Sequence, residues 1–471
     1  MTSRPLCCPW LWLTCVLALV AHPVVAEDWP QWMGPHRDGR WNEPGLIEHF
    51  PEGKVPTVWR RELAGGYSGP AVAGGAVFVT DFLSSDPPPA NHPGVRDLRR
   101  GQERVWCLAA DTGDVRWQIE RPCLCQMSYA TGPRATPTVA DGLVYCLGAA
   151  GFLQCLDVSD GTEVWSQDLT RYTGAPPWWG FSSHPLVEGE LVLCLVGGPG
   201  SAVVAFDRKT GAERWRSGSA SDPGYSSIQA GEQEGQRLLL AWDADHLRGL
   251  EPKQGTELWR FPLAPQFKMS IAMPQVHGDI VFAGGKGRVS AALRLVNGGR
   301  AIEPLWRATA TSGLSTSNAP PVLDEGVIYG CDCDTGHLRG IDLRTGERLW
   351  DSLQPTTGGR PAPHATVFLI RNGQRWILFN DSGDLIFAEL SRDGYTELSR
   401  AHAIDPTDTA YGRMVVWSHP AFAEGRVFAR SQREIKCLDL RPHRPDSTSP
   451  DSQTPDSQPS ETEPLDQPAV R

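Results

Sequence analysis

Cys155-Leu156-Asp157-Val158-Ser159-Asp160-Gly161-Thr162-Glu163-Val164-Trp165 is the stretch that decides the fold. It returns as Ala205-Phe206-Asp207-Arg208-Lys209-Thr210-Gly211-Ala212-Glu213-Arg214-Trp215, and again as Gly340-Ile341-Asp342-Leu343-Arg344-Thr345-Gly346-Glu347-Arg348-Leu349-Trp350. The turn glycines of successive copies stand at 113, 161, 211, 255, 298 or 299, 346 and 394. A period of 43 to 50 residues belongs to solenoids and propellers.

Working outward from one copy, Ala135-Thr136-Pro137-Thr138-Val139 reads as a strand. The turn Ala140-Asp141-Gly142 leads to Leu143–Leu147, and Gly148–Gly151 leads to Phe152–Leu156. The Asp-x-x-x-Gly turn then delivers a fourth strand ending at Trp165. These are short alternating runs bounded by Gly, Asp and Pro, with no competing helical period. Four-stranded antiparallel units repeated around a ring make an all-β propeller. Counting gives eight blades of about 48 residues between Val55 and Leu440. The closing tryptophans are Trp117, Trp165, Trp215, Trp259, Trp306 and Trp350, with Leu398 at the matching place in blade seven. Blade eight runs out at Cys437-Leu438-Asp439-Leu440, so Thr57–Arg61, carrying Trp59, is expected to supply its fourth strand and close the ring. All seven tryptophans are expected to be architectural. Glycine allows the tight turn, aspartate caps it, and a buried indole N–H needs an acceptor.

Both ends differ from the repeat. Residues 1–26 read as a secretory signal: Arg4, an apolar run from Trp10 to Val20 too short to span a bilayer, and the small-residue site Val24-Val25-Ala26. An exported protein, periplasmic or secreted, is expected. Residues 27–54 form an N-terminal extension. Residues 441–471 repeat Pro-Asp-Ser every five residues and have too little apolar surface to fold. No second long apolar segment exists, so no transmembrane segment is expected. A net charge of −11 excludes a basic nucleic-acid footprint.

The Leu-Asp-x-x-Thr-Gly-x-x-x-Trp repeat resembles the tryptophan-docking motif of the pyrroloquinoline quinone (PQQ) repeat family, over nearly all of Val55 to Leu440. Asp28-Trp29-Pro30-Gln31-Trp32-Met33-Gly34-Pro35-His36-Arg37-Asp38-Gly39 resembles the start of exported PQQ-like propellers of planctomycete-type bacteria. The resemblance implies an eight-bladed ring and two kinds of protein: PQQ-dependent alcohol and sugar dehydrogenases, and the non-enzymatic scaffold BamB. Three departures weigh against the enzymes. The only adjacent cysteines, Cys7-Cys8, lie in the signal; no Cys-x-x-Cys-His motif occurs; no calcium-binding Glu, Asn and Asp set is evident. The expectation is therefore a monomeric, non-catalytic scaffold or binding module with no cofactor. PQQ and calcium belong to the alternative of an oxidoreductase, and a carbohydrate-binding propeller is a further alternative.

A ligand or protein partner would meet the mouth of the central channel, where the loops entering the innermost strands converge. These loops are aromatic, and the candidates are Tyr67, Tyr129, Arg134, Trp178, Trp179, His184, Tyr225, Arg360, His364, Trp417 and His419. Aromatic faces with a few polar groups suit a flat ring, a sugar or an extended peptide. The competing reading is that these residues plug the channel.

Nine cysteines lie beyond residue 26. Cys107, Cys155 and Cys437 share one repeat column, and Cys146, Cys194 and Cys331 share another, as small packing residues do. A Cys146–Cys155 disulfide across their hairpin is the other expectation. Cys123-Leu124-Cys125 and Cys331-Asp332-Cys333 lack a histidine at useful spacing, so no metal site is expected.

Overall fold

In the computed structural model, residues 27–87, 94–129 and 131–442 are described. The expected signal of residues 1–26 and nearly all of the Pro/Ser/Asp tail lie outside them. Eight four-stranded antiparallel sheets form the ring, as the repeat requires. Blade one comprises Ala71–Ala73, Ala76–Ser84, Asp97–Ala109 and Val115–Met127. Blade two comprises Thr138–Ala140, Leu143–Leu147, Phe152–Asp157 and Glu163–Asp168, and the same order continues to blade seven, which ends at Tyr395–His402. Blade eight joins Ala421–Ala423, Arg426–Arg430 and Glu434–Asp439 to Thr57–Glu62. Trp59 pairs with Cys437, so both ends of the ring share one sheet and the third strand of blade eight is covered. Arg430, fully buried, ties this blade to its neighbour by donating to the carbonyls of Thr80 (2.6 Å) and Ala64 (2.9 Å).

The repeat motif works between blades. The indole N–H of Trp165 donates to the Arg208 carbonyl of the next blade at 2.9 Å, and Trp59, Trp117, Trp215, Trp259, Trp306 and Trp350 do likewise at 2.8 to 3.1 Å. For Trp59, Trp117, Trp165, Trp215 and Trp306 the indole also lies on the next turn's glycine. A Cβ on Gly211 would sit 2.6 Å from Trp165, and one on Gly255 would sit 2.3 Å from Trp215. Glycine is thus required twice, for a φ of +70° at Gly211 and for the ring above it. The turn aspartates cap as expected: Asp207 Oδ1 accepts the N–H groups of Lys209 and Thr210 at 3.1 and 2.9 Å. Opposite each tryptophan stands a small residue: Cys107, Cys155, Ala205, Gly249, Ala292, Gly340 and Cys437.

Blade seven departs from the pattern in a compensated way. A β-bulge precedes every docking position, and here Leu398 is the bulged residue, so Ser399 and not Leu398 occupies the tryptophan register. Facing it is Phe387, the large member of an otherwise small column. Phe50 of the N-terminal extension stacks on Phe387 at 4.2 Å, and its N–H donates to Ser399 Oγ at 2.9 Å. The extension supplies the aromatic bulk that blade seven lacks.

The Cys146–Cys155 pairing is not formed. Cys146 lies opposite Gln154 and Cys155 opposite Tyr145, so the two thiols point to opposite faces of blade two. A one-residue error of register exchanges the faces of a strand. Both thiols are buried and free, as packing residues.

Residues 28–41 enter the central channel. Trp29 bridges Val72 of blade one, Pro30 accepts from Val139 of blade two at 2.8 Å, and Gly39 accepts from Arg371 of blade seven at 2.8 Å. The Arg37 guanidinium is buried, donating to the Ile228 carbonyl at 3.0 Å, to the Pro185 carbonyl and to Gln31 Oε1 at 2.8 Å. Trp32 stacks on His184 with centroids 3.9 Å apart and planes 11° apart, and His419 lies 4.8 Å away. His184 Nδ1 accepts from Thr136 N–H at 2.7 Å, and His419 Nδ1–H donates to the Pro420 carbonyl at 2.6 Å. These histidines therefore seat the plug, and both are neutral. Burial, with Arg37 and His419 nearby, holds His184 well below its ordinary range; burial pulls His419 down to about 4.

Two expectations follow. Gly211→Ala lowers stability in urea unfolding by about 2–4 kcal/mol, combining strain at positive φ with a clash against Trp165. Gly142→Ala, at φ +78° but with open space around it, costs only about 1 kcal/mol. Acid also destabilises the ring. Unfolded histidines take up a proton near pH 6.5 whereas folded His419 resists until about 4, so stability falls as pH drops through that window. His419→Gln should remove on the order of 3 kcal/mol of that dependence, read from unfolding curves at pH 7 and pH 4.

Candidate functional site

Above the plug, the loops entering the innermost strands line a cup whose empty space, counted out through its open mouth, is ≈ 1010 Å³. Trp32 and His184 form part of its lining from below. Eight of the candidates line it: Tyr67, Tyr129, Arg134, Trp179, His184, Tyr225, His364 and Trp417. Three do not. His419 lies beneath, packed against Trp29 and Phe368. Trp178 is at the rim, 43% exposed, with the Arg96 guanidinium 5.3 Å from its ring. Arg360 is exposed, its carbonyl accepting from Thr357 Oγ1 at 2.5 Å.

The aromatic residues form two walls. On one, Trp417 lies 5.9 Å from Tyr67 and 6.0 Å from Tyr129, and His364 stacks on Tyr411 at 4.8 Å. On the other, Trp179 meets Tyr225 edge-on at 5.2 Å. Three lining residues hold the left-handed backbone region: Tyr129 at φ +62°, His364 at +56° and Tyr411 at +49°. Bulky residues adopt it only where surroundings impose it, which is common at ligand sites. A small hairpin, Asp408–Ala410 with Arg413–Val415, carries Tyr411 over the mouth. Arg413 pins it to buried Asp381 at 3.0 Å, and the Tyr67 hydroxyl donates to Asp408.

The electrostatics are muted. The Arg134 guanidinium donates to the carbonyls of Gly132 (2.7 Å) and Ser128 (3.0 Å), and burial lowers its pKa. Burial, helped by Lys286, pulls His364 down to about 4, so it is neutral and engages Ser317 Oγ at 3.0 Å through Nδ1. Burial raises the Tyr225 and Tyr129 hydroxyls, so both stay protonated. The Trp179 indole N–H is buried and has no acceptor among the described residues.

Loops without an aromatic signature contribute as well. Met269 and Ile271 come from the loop before blade five, and Asn318 and Pro320 from the loop before blade six. Trp32 was visible in sequence only as part of an unplaced extension. Its neighbours Gly34 and Gly39, both at positive φ, were the available sign of a tightly turned segment.

The donor set does not fit PQQ with calcium. PQQ is a polycarboxylate, whereas the lining offers one guanidinium whose N–H groups already bond to carbonyls. Calcium asks for six to eight oxygen ligands. No aspartate or glutamate is among the described residues of the lining.

The comparisons with known proteins agree with the architecture. The family model described as outer membrane protein assembly factor BamB matches residues 52–243 and 243–462. BamB of Escherichia coli (strain K12) is 27% identical over 331 residues, covering 66% of this chain and 79% of its own. BamB of Salmonella typhimurium is 27% identical over 222 residues, covering 45% of this chain and 55% of its own. Among solved structures, BamB from Moraxella catarrhalis superposes with a TM-score of 0.56 at 15% identity, covering 83% of this chain and 99% of that one. Quinohemoprotein alcohol dehydrogenase from Comamonas testosteroni gives 0.58 at 12% identity, covering 90% and 82%. At such identities both structures speak to the fold alone. With its eight docked blades and a family match spanning most of its length, the chain belongs to the BamB family of PQQ-like β-propellers.

Proposed function

We propose that this chain is a non-catalytic binding module that holds an extended, largely apolar or aromatic peptide segment of a protein partner at the channel mouth. The observation that carries this reading is the lining itself. It has two aromatic walls with a Trp32–His184 floor and, among the described residues, no aspartate or glutamate. General acid–base chemistry needs a positioned group that titrates near the working pH. His184 and His364, the histidines of this lining, are held neutral by burial. Aromatic side chains give large contact area at low entropic cost, which suits recognition. The kinship with an assembly factor supports a scaffold over an enzyme. The N-terminal run Trp10–Val20 supports export, and among the described residues no helix is long and apolar enough to cross a membrane.

A peptide array probed with the purified chain tests this. The expected result is micromolar binding of peptides rich in aromatic and aliphatic residues. Trp179→Ala should weaken it by about tenfold or more, through lost aromatic contact. Saturable PQQ and calcium binding with alcohol-dependent dye reduction would replace the proposal with the oxidoreductase reading. Binding confined to a glycan array would replace it with the carbohydrate reading.

A further inference from the structure

Blade one is longer than its repeat. Its outermost strand runs 13 residues, Val115–Met127, where blade two needs six. The additional length carries Cys123 and Cys125, which belong to neither cysteine column of the repeat. Leu124 between them is 62% exposed, so the alternation of the strand turns both thiols to the opposite, inner face. There the two sulfurs approach to 3.0 Å. Glu103, from the neighbouring strand Asp97–Ala109, joins them: one ligand atom from each of Glu103, Cys123 and Cys125 lies within 4.8 Å of the others.

The surroundings hold this cluster in place. Cys125 is fully buried, Glu103 is 9% exposed and Cys123 is half-buried, so solvent reaches the cluster only from the Cys123 side. Glu103 accepts a hydrogen bond from Ala149 N–H at 3.2 Å, and Gly148 makes its room: a Cβ there would lie 2.2 Å from Glu103 Oε2. Burial raises the Glu103 carboxyl to about 7, and the Cys123 contact together with burial raises the Cys125 thiol.

We propose that Cys123, Cys125 and Glu103 form a site for a thiophilic divalent cation of the Zn²⁺ class, with a fourth position open to solvent. Two thiolates and a carboxylate are a zinc-type donor set, and the carboxylate argues against Cu⁺, which prefers sulfur alone. Zn–S bonds of about 2.3 Å at a tetrahedral angle need the sulfurs about 3.8 Å apart, a small opening of the present contact. A disulfide fits less well. Residues i and i+2 of an extended strand have Cα atoms roughly 6.6–6.8 Å apart, at the outer limit for a bond. The strand stays regularly paired here, Cys123 with Gly101 and Cys125 with Arg99, without the bend that a bond would need. Binding releases the two thiol protons and that of any protonated Glu103, so affinity rises with pH.

Titration of the full, reduced chain with Co²⁺ tests the site. The expected result is one equivalent bound, with a sulfur-to-cobalt charge-transfer band and tetrahedral visible bands that Zn²⁺ abolishes. Cys123→Ser and Cys125→Ser should lose the charge-transfer band. Glu103→Gln, equal in size, should keep it with affinity weakened by about tenfold or more. Unchanged near-ultraviolet circular dichroism separates loss of a ligand from loss of the fold. Absence of the band in the reduced wild-type chain, or its survival in Cys125→Ser, would overturn the proposal. A Cys123–Cys125 disulfide in the isolated protein with no Co²⁺ uptake after reduction would establish a redox pair instead.

Discussion

Everything in this ring rests on an indole laid over a glycine. Each docking tryptophan gives its N–H to a carbonyl of the next blade, and Trp59, Trp117, Trp165, Trp215 and Trp306 also lay their face on the next turn's glycine, so one side chain fixes both the distance and the rotation between those sheets. The turn must present a bare Cα, the facing strand a small side chain, and the register a bulge. These requirements recur because the geometry between blades recurs. A sheet of four short strands cannot bury both faces alone, and the stacking of neighbours is what makes each blade stable.

The site inherits its shape from this regularity. Identical blades bring the loops before their innermost strands to the same level, so residues as distant in sequence as Tyr67 and Trp417 come within 5.9 Å. The channel beneath is filled by residues 28–41, which convert an open pore into a cup. The floor is neutral because burial disfavours charge on His184 and His419. Its walls are held partly in unfavourable backbone conformations, and the hairpin over the mouth is anchored through Asp381 and Asp408.

What could be read from sequence was whatever is local and repeated. The Asp-x-x-x-Gly turns and their tryptophans announce themselves because each obeys a rule spanning eleven residues. Blade number followed from counting them, and ring closure from one strand missing at one end and one spare at the other. Positions tied to a register slipped by one. Leu398 fell on the bulge, and Cys146 and Cys155 fell on opposite faces, because one residue of offset is invisible in a hydrophobic pattern. The plug was illegible since Asp28–Gly39 has no periodicity to assign. The aromatic loops were legible as a group, but Met269, Ile271 and Asn318 look like any loop residue until the ring sets them in place.

Closing the ring with Thr57–Glu62 has a consequence in time. The segment that holds Arg40 and Trp59 leaves the ribosome first, yet its partners, Arg371 in the channel and Cys437 in blade eight, arrive only after the intervening blades have been made. Contacts spanning nearly the whole chain are slow to form, since long loops must close first. A nascent or prematurely ended chain therefore exposes Trp59 and an unpaired strand, a state open to proteolysis. Only a finished polypeptide can conceal its own beginning.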